Sequence, residues 1–249
     1  MPILTALSYN IHECVGLDKR RDPSRIARII KDSGAQIVGL QEVHSDSSGA
    51  DELHQMNYLA AVTGLNAVPG TPLFRRNGHF GNVLMTSGKV QAVRQLDLSY
   101  RGREPRGAID SDIDFSGETL RVIVAHLGLL PAERRFQVER LLHILKERRA
   151  RMVIVLTDFN EWLPTGRSLR WLHTRLGKTA LVRTFPSPFP VFALDRIWVS
   201  PSSGLLKIGA IRTPVTRVAS DHLPLKAVLC TPRSAHEWYG TAKLSAASE

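Results

Sequence analysis

Ser220-Asp221-His222-Leu223-Pro224-Leu225 lies near the end of the chain. An acid beside a histidine, followed at once by an apolar, proline-marked run, is unusual for a surface loop. The rest of the chain supplies it with partners. Asn10 closes one apolar run, Glu42 another, His126 a third, and Asp158 with Asn160 a fourth, while Asp195 opens a fifth. Carboxylates, amides and histidines at strand ends are how an open α/β scaffold presents a reactive site. Six separate segments repeating that arrangement make a pattern.

The 249 residues suffice for one large domain or two small ones. The polar strand ends run from residue 10 to residue 222 with no linker-like stretch between them. One domain over residues 1–232 is therefore expected, with a small, polar tail at 233–249 that frays. A hydrophobic content of 43% allows a sizeable core. The formal net charge of +10 concerns partners rather than fold. Its arginines gather at Arg20 and Arg21, Arg75 and Arg76, Arg101 to Arg106, and Arg148 to Arg151. Such a surface attracts nucleic acid, anionic lipid headgroups or phosphorylated small molecules; a plain solvated surface explains any one cluster equally well. Two cysteines, Cys14 and Cys230, make neither a disulfide framework nor a zinc set. No apolar run reaches the roughly 18 residues of a membrane span, and no signal peptide is visible. A cytoplasmic protein is expected.

Ile3 to Tyr9 reads as a buried strand. Asp22 and Pro23 open a helix over Ile26, Ile29 and Ile30 that Gly34 ends. Ile37 to Leu40 is a strand delivering Glu42. Leu53, Met56 and Ala60 mark a helix closed by Gly64, and Asn82 to Met85 a strand. Leu120 to Leu127 is a Val- and Ile-rich strand carrying His126. Pro131 opens a helix with Val138, Leu141, Leu142 and Leu145 on one stripe, Glu133 in its first turn and Arg148 and Arg149 in its last. Met152 to Leu156 leads to Asp158. Ser168 caps a helix over Leu169, Leu172 and Leu176, closed by Gly177, and Asp195 to Val199 and Leu225 to Leu229 are late strands. Residues 83 to 127 read as consecutive strands, which argues for mixed sheets packed on each other with helices outside.

Glu42 at a strand end requires a cation or donors to offset desolvation. A hard divalent ion takes one or two carboxylates, keeps waters and uses substrate phosphate for the rest; Glu42 with Asp221, helped by Asn10, is such a set. A salt bridge to one of the many arginines is the plain alternative. Asp158 can hold or deprotonate a water while Asn160 donates to a phosphoryl oxygen, and an Asx turn explains the same pair. Asp195 can fix the tautomer of His222 and favour its charged form, so that it accepts a proton or stabilises a developing oxyanion. His126 is a second acid–base candidate.

The ordered set SYNIH (8–12), GLQEV (39–43), GNVLMTS (81–87), EPRGA (104–108), AHL (125–127), TDFNEW (157–162), LDRIWVS (194–200) and SDHLPL (220–225) resembles the endonuclease/exonuclease/phosphatase superfamily, the deoxyribonuclease I-like metal-dependent phosphoesterases. The resemblance runs from residue 8 to residue 229. It implies a four-layer α-β-β-α sandwich of two mixed sheets with outer helices, and a site at one rim of the sheets. It implies Glu42 as the main ligand for Mg²⁺, with Mn²⁺ the alternative ion, Asn10 close to metal and phosphate, and Asp221 beside a second ion. Asp158 would orient or activate water, Asn160 would contact phosphate, Asp195 would orient His222, and His222 would act on a proton or a phosphoryl oxygen. Asn82 and Arg106 match recurring positions that meet substrate. Three positions depart from the pattern: His12 where DNA-repair members often carry a second acidic ligand, Thr157 where a glycine is usual, and Arg196 where an aromatic is common. His126 resembles the deoxyribonuclease I and phosphatase branches rather than the abasic-site nucleases.

The expected activity is hydrolysis of a phosphodiester by water. Nucleic acid is one substrate class, although aromatics are only 6% of the chain and no basic–aromatic strip suggests base stacking. A phospholipid or sphingolipid headgroup, or an inositol phosphate, is the alternative. There the apolar loop of Phe185, Pro186, Pro188, Phe189 and Pro190 touches lipid or packs over the site. A binding module without chemistry is disfavoured, because Glu42, Asp158, Asn160, Asp195 and His222 are all present.

Overall fold

Two parallel strand pairs, each closed by a crossover helix, organise the computed structural model, which describes residues 2–45, 55–70, 73–75, 78–147 and 150–231. The elements in chain order are β1 (Ile3–Asn10), α1 (Pro23–Ser33), β2 (Ile37–Ser45), α2 (Gln55–Thr63), β3 (Asn66–Pro69), β4 (Leu73–Arg75), β5 (Gly78–Thr86), β6 (Lys89–Asp97), β7 (Gly107–Phe115) and β8 (Glu118–His126). They continue with α3 (Pro131–Ile144), β9 (Met152–Asp158), α4 (Arg167–Leu176), β10 (Asp195–Ser200), β11 (Leu205–Ala210), α5 (Thr216–Ala219) and β12 (Leu225–Cys230).

One sheet has the order β11-β12-β1-β2-β5-β3, with β4 also paired to β5; the other has the order β10-β9-β8-β7-β6. β1 and β2 run parallel across α1, and β8 and β9 run parallel across α3. The other pairings are antiparallel, so both sheets are mixed. Side chains from both sheets, among them Leu84, Val122, Ile154, Leu156 and Leu225, fill the space between them. A second apolar cluster joins the outer face of the first sheet to Ile26 and Ile30 of α1, and a third joins the second sheet to Val138 of α3 and Leu172 of α4. This is the expected four-layer sandwich. The sheets pack tightly at Gly39, where an added Cβ would meet the Leu156 Cβ at 2.8 Å.

Local chemistry accounts for the main helices. Asp22 accepts the Arg25 N–H at the start of α1, Pro23 stands in its first turn, and Gly34 ends it at φ 65°. Two helix expectations are corrected. Gly166, not Ser168, is the N-cap of α4, because the Ser168 hydroxyl is drawn to the Glu161 carboxylate. α3 stops at Ile144, short of Arg148 and Arg149. The buried Arg121 of β8 meets the Ile144 and Glu147 carbonyls at 3.0 and 2.8 Å, closing the helix end from inside. Leu53, Arg76, Arg148, Arg149 and the tail at 233–249 lie outside the described residues. Strands β3 and β11 and the 12–14 turn carry no periodic apolar signal and were not foreseen.

The topology places the functional candidates. Asn10 ends β1 opposite Gln41 of β2, Glu42 follows at the irregularity within β2, and His126 and Asp158 end β8 and β9, paired in register. Asp195 starts β10 directly opposite Asp158. Packing the two sheets brings both ends to one rim.

Candidate active site

At that rim the Asp158 carboxylate is the common point. Its Oδ2 accepts the Asn10 amide at 3.0 Å and lies 3.4 Å from His126 Nε2 and 3.7 Å from His222 Nε2. The same Asn10 Nδ2 donates to Glu42 Oε1 at 3.0 Å. Glu42, Asn10, Asp158, His126 and His222, from five separate segments, are therefore one cluster.

The backbone is bent to build it. His12, Glu13 and Cys14 form a left-handed turn with φ of 46, 54 and 60°, and Glu42 and Asn160 stand at 56 and 53°. Non-glycine residues in this region cost about 1 kcal/mol or more each, and such strain collects at functional sites. The Glu42 twist interrupts the β2–β5 ladder between Leu40 and Val43, turning the carboxylate to the rim. Gln55 of α2 holds the left-handed turn by donating to the Glu13 carbonyl while accepting the His44 N–H.

Asn10 bridges the two carboxylates through its amide nitrogen. Its Oδ1 accepts the His12 N–H at 3.0 Å, which fixes the amide with Nδ2 toward Glu42 and Asp158. An amide oxygen carries two lone pairs, so Oδ1 keeps one beyond this bond, and the Glu42 carboxylate next to the amide adds a charged oxygen. His12, at the departing position, spends Nδ1 on the Val15 carbonyl.

His222 is buried. Its Nδ1 donates to Asp195 Oδ2 at 2.8 Å, leaving Nε2 toward Asp158. Burial alone would push the imidazole down, but the Asp195 and Asp158 carboxylates outweigh it and push it up to about 10. The Asp158 carboxyl is itself held above the usual carboxylate range by burial, against the opposing pull of His222. Ser220, which the sequence reading gave no role, locks this corner. Its hydroxyl lies 2.8 Å from the Asn10 carbonyl and accepts the His222 N–H at 3.2 Å. Asp221 is half-buried, and its Oδ1 lies 3.3 Å from the same hydroxyl. Its carboxylate is also close enough to His222 to help hold the imidazole charged.

His126 is held in one tautomer. Arg106 Nη1 donates into its Nδ1 at 2.9 Å. An arginine cannot accept, so Nδ1 is the acceptor and Nε2–H is the donor, aimed at Asp158 and, at 3.9 Å, Glu42. The Asn160 amide, 3.1 Å from the same Nε2, donates instead to the Leu127 carbonyl at 2.9 Å. Arg106 Nη2 also pairs with Glu104 at 2.8 Å, so the guanidinium bridges His126 and Glu104. Asn82 donates to the Gly107 carbonyl at 2.7 Å and anchors the Arg106 segment across the two sheets. The Asx turn is present as well: the Asn160 N–H donates to Asp158 Oδ1.

Two supporting residues, Glu161 and Arg134, had no separate signal. Glu161, inside TDFNEW, pairs with buried Arg134 of α3 at 3.2 Å, and Arg134 holds the Gly128 and Leu129 carbonyls, so the loops after β8 and β9 are tied together. Phe185 lays its ring 4.9 Å from that of His222. Cys14 is buried in the core beside α1, its thiol pushed up to about 12 by burial, so it is no nucleophile.

Two cation sites are chemically available. Glu42, facing Asp158, suits a hard ion that takes one or two carboxylates and completes its shell with water and phosphate. Asp158, Asp195 and His222 also bring one ligand atom each within 4.8 Å of one another. The latter trio already spends His222 Nδ1 on Asp195, so the donor set fits Mg²⁺ or Mn²⁺ better at Glu42.

The charge on His222 has a stability consequence in the metal-free protein. A folded value raised from 6.5 to about 10 contributes stability fully present below pH 6.5 and lost as pH climbs through 10. Asp195→Asn removes the nearest carboxylate and its hydrogen bond. Thermal melts in chelator should show wild type most ahead of this variant near pH 6 and the gap closing toward pH 10; a gap constant with pH would contradict the pairing.

The Endonuclease/Exonuclease/phosphatase family profile matches residues 7–222. The chain is 30% identical over 244 residues to the uncharacterized protein YbhP of Escherichia coli, covering 89% of this chain and 94% of that one. Among solved structures, a Bacteroides thetaiotaomicron mannosyl-6-phosphatase superposes with a TM-score of 0.71 at 19% identity, over 92% of this chain and 100% of that one. TDP2 of D. rerio, complexed with single-strand DNA product, superposes with a TM-score of 0.65 at 18% identity, over 93% and 100%. At these identities the solved structures share the fold. Among the described residues no helix is long and apolar enough to cross a membrane.

Proposed function

The chain belongs to the endonuclease/exonuclease/phosphatase family, and on that premise we propose that it is a metal-dependent phosphoesterase that hydrolyses a phosphodiester by in-line attack of water. The observation that carries this reading is the convergence of Glu42, Asp158 and His222 within reach of one phosphate, with Asn10 bridging the first two.

Glu42 would hold Mg²⁺ or Mn²⁺. A bound ion would neutralise phosphate charge and polarise the phosphorus–oxygen bonds. Asp158 orients the attacking water and takes its proton; a carboxyl above its usual range is a stronger base than a free one. His222, held charged by Asp195, is the donor. Its Nε2–H stabilises the phosphoryl oxygens as charge develops and can follow the bridging oxygen as the phosphorus–oxygen bond breaks. Asp195 keeps the imidazole in that state. His126 adds a second donor with Arg106 behind it, Asn160 shapes the turn that holds Asp158, and Asn82 anchors the Arg106 strand.

The same fold serves a sugar phosphatase and a protein bound to DNA product, so fold alone leaves the substrate class open. The test is a turnover screen with a generic phosphodiester, plasmid DNA, RNA, sphingomyelin and phosphoinositides, in Mg²⁺, Mn²⁺ and chelator. At least one phosphate ester should turn over, losing its rate in chelator and regaining it with Mg²⁺. Hydrolysis indifferent to chelator would overturn the proposal.

A further inference from the structure

The loop flagged for its prolines and phenylalanines is a rigid hairpin bolted to the site. Phe185 and Phe192 pair across it through four backbone hydrogen bonds involving residues 184, 185, 191 and 192. Its inner edge is tied to the His222 loop: Ser187 N–H donates to the Asp221 carbonyl at 2.7 Å, and Leu223 N–H to the Thr184 carbonyl at 2.9 Å. Its outer end is apolar. Phe189 is 78% exposed and Val191 56% exposed. From the imidazole outward the rings run without a gap, His222 to Phe185 at 4.9 Å, Phe185 to Trp162 at 5.7 Å, and Trp162 to Phe192 at 4.7 Å. Trp162 and the adjacent Leu163 are themselves exposed, at 41 and 64%.

An exposed apolar patch of this kind beside a site marks a partner. Charge says which. Between Glu161 and Asp221 the chain carries nine arginines and lysines and one acidic residue, Asp195, which is buried against His222. Arg183 is exposed at the hairpin's base, and the exposed Arg217 lends its carbonyl to the Ser187 hydroxyl at 3.1 Å. Apolar side chains at the tip, with the exposed Arg183 and Arg217 beside its base, suit a surface with an apolar interior and anionic headgroups. Nucleic acid fits less well. The tip offers proline and valine beside its one ring, and Trp162, Phe185 and Phe192 already pack edge to face with one another, where a strand would require open faces for its bases.

We propose that the hairpin of residues 184–193, with Trp162 and Leu163, docks on an anionic lipid bilayer and so holds the mouth of the site at the interface. The proposal names a partner surface for the site read above as a phosphoesterase. Its test reads binding rather than turnover, so the two can fail separately.

The full chain in chelator is sedimented with phosphatidylcholine vesicles and with vesicles of phosphatidylcholine and phosphatidylglycerol. The expected result is retention on the anionic vesicles only, weakening with salt, with a blue shift of tryptophan emission that Trp162→Phe removes. The exposed positions tolerate polar residues, so Phe189→Ser with Val191→Ser should keep the wild-type melt. It should cut vesicle partitioning by about tenfold or more, as expected for two apolar side chains withdrawn from the interface. No retention on anionic vesicles, or retention that this double variant leaves unchanged, would overturn the proposal. So would an absence of vesicle binding alongside single-stranded DNA binding that the double variant loses.

Discussion

His222→Asn is expected to lower turnover of whichever phosphate ester the protein hydrolyses by about a thousandfold or more, with little change in substrate KM. Two effects combine. The charged Nε2–H aimed at Asp158 and the phosphate region disappears, and a neutral amide cannot supply the proton that the leaving oxygen requires. The fold should survive, because the backbone of this loop is held independently of the ring, through Ser220 to Asn10 and through Leu223 to Thr184. Steady-state kinetics with circular dichroism separates the cases. A folded His222→Asn protein within about tenfold of wild type would remove the imidazole from the chemistry, since general acid–base contributions start at about a hundredfold.

Asp158→Asn should cost turnover on the same scale while leaving stability nearly where it was. The substitution removes the acceptor for the water's proton. It also removes a carboxylate whose burial is unfavourable, as its raised value shows, but with it goes one of the two charges that hold the His222 imidazolium. A group with a raised folded value gives its stability below its unfolded pKa and loses it as pH rises, so at neutral pH the ionised Asp158 is a cost. The gain from deleting that cost and the loss to His222 oppose each other. The melting temperature is expected to move by less than about 4 °C. A large fall in melting temperature would show that Asp158 is structural, and an unchanged rate would show that it is not the base.

Much of this site was legible because each participant closes an apolar run. Asn10, Glu42, His126 and Asp158 follow buried strand segments, and two packed sheets with parallel pairs β1–β2 and β8–β9 bring all four together. Long range made other features unreadable. Nothing local says that the Ser220 hydroxyl reaches a carbonyl 210 residues earlier, or that Arg134 of α3 pairs with Glu161 beyond β9. Side-chain direction was equally hidden. The contacts of Asn10 with His12, Arg106 with His126 and Asn82 with the Gly107 carbonyl are visible only in the coordinates. The left-handed turn at His12 to Cys14 has no glycine to announce it. Arg121, a buried residue of a strand, also reaches the end of α3, because a side chain rising from the sheet beneath meets its last carbonyls directly.

The most direct measurement is anomalous diffraction from crystals grown with Mn²⁺ and inorganic phosphate. The account predicts a manganese peak on the Glu42 carboxylate, with phosphate between it and His222 Nε2 and within reach of Asp158. Manganese seated among Asp158, Asp195 and His222, or phosphate bound away from all three groups, would contradict it.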